Sequence, residues 1–161
     1  MNSNPTRQQP MAKGNYTNFF LMLGVSFVVM HLTMYFNTEK ADHLYLSTNR
    51  LYMTTLMISS MALIMLGFMR SMYPNKRINQ LIVAGSVGVS MAALICVRQQ
   101  AFIDDKLFMH SMIPHHSIAI LVSKRADLKD PEVKKLAKDI IAAQEREIAQ
   151  MKRILKRIEN Q

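Results

Sequence analysis

The sequence predicts an all-α protein: three transmembrane helices followed by a polar helical hairpin that makes half of a four-helix bundle. Three observations predict it. The 161-residue chain is 50% hydrophobic yet carries a formal net charge of +9, a combination that calls for segregation of apolar and charged blocks. Residues 17–36, 51–69 and 78–97 contain no charged side chain, and each run has the 19 or 20 residues a helix needs to cross roughly 30 Å of hydrocarbon. Beyond residue 97 apolar residues recur at helical spacing with charges between them.

Taken in order, residues 1–16 are polar, with Asn4-Pro5 and Gln9-Pro10, and read as a disordered cytoplasmic tail. The run 17–36 has too long an apolar core for a secretory signal, and no small-residue cleavage pattern follows it, so it reads as a retained helix. Tyr73-Pro74-Asn75 marks the turn between the second and third runs. Together, 17–97 form a three-helix membrane domain. From 98 to Ile113 neither Gly nor Pro occurs, so the third helix is expected to continue as a stalk into the domain 98–161. Pro114 should kink or restart that helix, because it removes the bond to the carbonyl of His110. Asp130 is placed to cap a last helix, with Pro131 at its first position and Glu132 near its positive end. That helix runs to about Glu159 with an apolar stripe at Val133, Leu136, Ile140, Ile148, Met151, Leu155 and Ile158, and a basic end at Lys152, Arg153, Lys156 and Arg157. A lone hairpin buries little apolar surface, and pairing of two copies into a four-helix bundle would remedy this, so a homodimer is expected.

Charges near the helix ends set the orientation. Arg7, Lys13, Arg70, Lys76 and Arg77 lie on one side, while Lys40 and Arg50 share the other with Glu39 and Asp42. The bias places the N-terminus in the cytoplasm and the C-terminal domain outside the cytoplasmic (inner) membrane, in a periplasm or the extracellular space. The single cysteine, Cys96, lies in the third run, so no intramolecular disulfide supports the outer domain.

The chemistry gathers between Phe108 and His116, where two methionines and three of the five histidines fall within nine residues. Thioether and imidazole form a soft to borderline ligand set that favours Cu(I) over Mg²⁺ or Ca²⁺. On a helix Met109, Met112 and His116 share a face, with His115 beside it and His110 in the same run. Either residue type alone is usually core filler or a rim residue, but here they coincide. On the last helix Gln144 and Glu147 interrupt the apolar stripe in line with Met151, which would make Met151 a further thioether ligand facing the motif across the hairpin. Met53, Met57, Met61, Met65 and Met69 repeat at four-residue steps through the second run, a slowly winding stripe. Such a stripe is more often packing than a path for metal, and the three runs contain no carboxylate for proton coupling.

The order Asp105-x-x-Phe108-x-x-x-Met112-Ile113-Pro114-His115-His116-x-x-Ala119-Ile120, then Asp130-Pro131-Glu132-Val133 and Gln144-x-x-Glu147-Ile148-x-x-Met151, resembles the DUF305 family over residues 101–157. The resemblance implies a ferritin-like helical bundle, and a connection of exported members with copper binding and tolerance. It carries Met112, His115, His116 and Met151 over as ligand positions, with Asp105, Gln144 and Glu147 as polar companions. Two departures stand out: Val122 replaces a further Met seen in many members, and this chain holds one His-His hairpin where many hold two.

The function that follows is a non-enzymatic, membrane-anchored protein that binds copper as Cu(I), or Ag(I), through Met109, His110, Met112, His115, His116 and Met151. Its expected partners are the lipid bilayer, a second copy, and a copper exporter or other copper-handling protein. One alternative is a structural protein whose hairpin docks a partner or anionic lipid. Another is a ferritin-like redox metal enzyme, against which stand the lack of Glu-x-x-His and of any carboxylate between Lys106 and Arg125. Nucleic acid is not expected, because seven acidic residues interleave the basic ones from Lys124 to Glu159.

Overall fold

The computed structural model describes residues 15–160. Those residues form five α-helices: α1 (Tyr16–Thr33), α2 (Thr48–Phe68), α3 (Lys76–Gln99), α4 (Asp105–Arg125) and α5 (Pro131–Glu159), with a 3-10 turn at Ala41–His43. The expected tail falls mostly outside the described residues; of its last two positions, Tyr16 begins α1 and Asn15 is its N-cap, the side chain accepting from the Thr17 amide.

α1, α2 and α3 are each long and apolar enough to cross a membrane. α2 lies between the other two and packs on both. Their shared core is Phe19, Ala62, Leu66, Tyr73 and Ile82, with Met65, Met69 and Met72 packed against it. Most of their apolar surface remains uncovered, as at Leu21 (63% exposed) and Leu81 (72%). Polar groups inside this region find partners: Ser59 Oγ and Ser90 Oγ lie 2.7 Å apart, and His31 Nδ1 lies 3.1 Å from Thr54 Oγ1.

The continuous stalk expected after α3 is not there. α3 stops at Gln99, and Gln100 (φ 50°) and Phe102 (φ 59°) both adopt left-handed backbone. α4 then starts afresh with the Asp104 carboxylate accepting from the Leu107 amide at 2.7 Å. No glycine signals this break, so it is carried by residues that rarely adopt such a conformation. Of the kink or restart expected at Pro114, the restart is also absent. α4 runs through it without interruption, and Pro114 is fully buried among the packed residues of the hairpin.

α4 and α5 form the antiparallel hairpin, capped as the sequence suggests: Asp130 Oδ1 accepts from the amides of Glu132 (2.8 Å) and Val133 (3.0 Å). Met109, Ile113, Ile120, Ile148 and Leu155 fill its core. The hairpin is not alone, however. Tyr45, from the connection between α1 and α2, packs on this core, and the 3-10 turn lies against α4.

Candidate metal centre

One face of α4 and one of α5 leave an open cleft of about 410 Å³. α4 contributes Asp105, Met109, Met112 and His116; α5 contributes Glu147 and Met151. A helix turns 100° per residue, which brings positions 105, 109, 112 and 116 into an arc of about 60°. The same rotation carries His110 and His115 roughly 100° and 120° away from Met109. His110 stacks instead on Tyr45, ring centroids 5.0 Å apart, and His115 is exposed. Gln144 is half-buried and does not line the cleft. Six of the nine residues singled out from the sequence therefore meet here and three do not.

Met109 is buried in the hairpin core and Met151 packs against that core, so both fill the interior and present surface to the cleft. His116 is held by a charge-assisted hydrogen bond from Nε2 to Glu147 Oε2 at 2.8 Å. With Nε2 donating to the carboxylate, Nδ1 is the ring nitrogen left to bind a metal when the imidazole is neutral. Nδ1 is buried and has no hydrogen-bond partner; among the described residues only Arg50 Nη1 shares that condition. An unpaired buried polar atom costs about 1–3 kcal/mol. Binding of an electron-pair acceptor at Nδ1 would relieve it. The arrangement, a carboxylate orienting a histidine through its far nitrogen, is the one that metal-binding histidines use. The residues present thus fit a soft cation.

Among the described residues no group of three or more His, Cys, Asp and Glu side chains gathers as metal ligands, so a metal in this cleft would draw on thioethers. In the methionine stripe of α2, Met65 and Met69 pack on the apolar core and Met53 is exposed.

A second cluster went unread in the sequence. Ser117, fully buried on α4, accepts from the Glu39 amide at 2.8 Å and lies 2.9 Å from His43 Nδ1. Around it, Lys152 pairs with Asp42 at 2.6 Å and Lys124 bridges Glu39 (3.4 Å) and Glu145 (3.3 Å). Burial holds the His43 imidazole below its ordinary 6.5, with Lys152 adding to the effect and Asp42 opposing it. The Lys152 hydrogen bond likewise holds Asp42 below the usual carboxylate value. Partners 74 and 78 positions apart leave no local signature.

The sequence profile of DUF305, a domain of unknown function, matches residues 67–160, more than half of the chain. The chain belongs to the DUF305 family. The match starts earlier than the motif-based resemblance and takes in the end of α2 and all of α3. A relative, an uncharacterized protein of Acanthamoeba polyphaga mimivirus, is 38% identical over 144 residues, covering 88% of this DUF305 chain and 93% of that protein. Likeness across that span reaches the apolar helices as well as the DUF305 hairpin. No solved structure matches.

Proposed function

We propose that the protein is a membrane-anchored binder of a soft metal ion, Cu(I) or Ag(I), held in the α4–α5 cleft and serving copper handling or tolerance at the outer face of the cytoplasmic membrane. The observation that carries this reading is the His116–Glu147 pair. It orients a histidine whose Nδ1 is buried and has no hydrogen-bond partner, in a cleft lined by Met109, Met112 and Met151. Thioether and neutral imidazole need no thiolate, so such a site keeps working in oxidising surroundings. Binding, rather than catalysis, suits a cleft with no nucleophile–base arrangement among its lining residues. The uncovered apolar faces of α1, α2 and α3 support residence in a bilayer, since patches of that extent are unfavourable in water. Near the hairpin's turn, exposed Val122, Val133 and Leu136 give a second copy an apolar face to cover, completing a ferritin-like four-helix bundle.

The test is competition for Cu(I) between the full-length protein in detergent and a chromogenic chelator. The full chain is needed because Tyr45 and His43 belong to the packing of the hairpin. Binding tighter than micromolar is expected, with Met112→Leu and His116→Ala each weakening it at least tenfold. Glu147→Gln should cost about 10- to 100-fold by loosening the orientation of His116. Cu(I) binding no tighter than micromolar, or equal in all variants, overturns the reading.

A further inference from the structure

We propose that the end of the hairpin nearest α3 binds the phosphates of anionic phospholipid headgroups, through Arg153, Lys156 and Arg157 of α5 together with Arg98 of α3. The inference rests on the reading of α1, α2 and α3 as membrane-spanning.

Placement comes first. α5 runs back along α4, so its last turns stand beside the first turn of α4, and Asp105, Arg157 and Ile158 line the same end of the cleft. That first turn follows α3 after only five residues, 100–104. The connection is fixed against the start of α2: the Tyr52 hydroxyl donates to the Ala101 carbonyl at 2.9 Å, and the Asn49 and Gln100 amides pair at 3.3 and 3.4 Å. The C-terminal turns of α5 therefore stand level with the ends of the apolar helices.

Charge is the second line. Arg153, Lys156 and Arg157 are spaced at i, i+3 and i+4 and share a helix face. They and Arg98 are exposed, and none forms an ion pair among the described residues, whereas neighbouring Lys152 is already engaged by Asp42. Of the carboxylates at these two helix ends, Asp104 caps α4 through the Leu107 amide, and Asp104, Asp105 and Glu159 form no ion pair among the described residues.

The third line is apolar. Phe102 is 87% exposed in a left-handed conformation, and Phe36 (82%) and Leu46 (79%) are exposed in the α1–α2 connection on the same side. Water gives none of them a favourable setting. The interfacial zone of a bilayer does, with aromatic rings at headgroup level and cations reaching phosphates. Each cation held near an anionic surface biases binding roughly fivefold, so three or four make a measurable preference.

The experiment reconstitutes the full chain into bilayers carrying spin-labelled phosphatidylglycerol or phosphatidylcholine, and measures the motionally restricted fraction of each. Selection of phosphatidylglycerol by several-fold is expected, decreasing with salt and lost in Arg153→Gln/Lys156→Gln/Arg157→Gln. The same charge change at the far end, Lys134→Gln/Lys135→Gln/Lys138→Gln, should preserve it. At matched ionic strength, inorganic phosphate should displace the labelled lipid no more than chloride does; greater displacement would mark a soluble-anion site and overturn the proposal. Equal association of both lipids, or equal loss in the two triple variants, also overturns it. Extraction of the protein from membranes by alkaline carbonate would instead refute the membrane-spanning reading itself.

Discussion

His116 and His43 show how little a histidine's position in sequence says about its work. His116 was legible, because Met109, Met112 and His116 fall on one helical face and the pattern is local. Its orienting partner was legible in type but not in geometry: a carboxylate on an apolar stripe needs a partner, and Glu147 finds it 31 positions back. His43 was not legible, since its environment is assembled by Ser117 and Lys152 from distant elements. Burial keeps its folded-state value below 6.5, so the unfolded chain takes up a proton first as pH falls. The contribution is full above about pH 6.5 and declines below it. A protonated ring can only donate from Nδ1, so the Ser117 hydroxyl would have to accept from it as well as from Glu39 and turn its own proton elsewhere. Hydrogen exchange at the Glu39 amide should therefore show protection that drops between pH 7.5 and 5.5, and His43→Gln should flatten that profile. Unchanged protection across the range would remove His43 from this role.

Elements were read well wherever their ends are set by nearby residues. The three apolar runs became α1, α2 and α3, and the turn before α5 carries the anticipated cap at Asp130. Asp130→Ala removes the acceptor for two amides and should destabilise the full chain by about 1 kcal/mol, visible as a lower melting temperature in detergent. Asp130→Asn, which keeps an acceptor, should recover most of it. Where the reading failed, a rule about single residue types met a contrary tertiary context. Pro114 was expected to kink or restart the helix, but α4 does not restart there and the proline is buried within it. The absence of glycine suggested continuity after α3, yet Gln100 and Phe102 turn the chain. Asp104, a residue suited to capping, was the signal present at that break.

For the whole molecule, the contacts of residues 39–45 with α4 and α5 place the α1–α2 connection and the hairpin on one side of the apolar helices, as three crossings require. The Lys and Arg distribution supports the proposal that this is the outer side of the membrane. In a Cys96→Ser background, a membrane-impermeant maleimide should label Lys129→Cys on intact cells and reach Ser71→Cys only after permeabilisation; the reverse pattern would place the hairpin in the cytoplasm. The connection has a further effect. Asp42 to Lys152, Glu39 to Ser117 and Tyr45 to His110 tie the hairpin down at three points. From Asp105 to His116 the cleft then rises only about 16 Å along α4. On the proposed reading, a metal held there could not swing out on a tether: it would stay at a fixed altitude just above the lipid, and a donor or acceptor confined to the same membrane would meet it by searching in two dimensions rather than three.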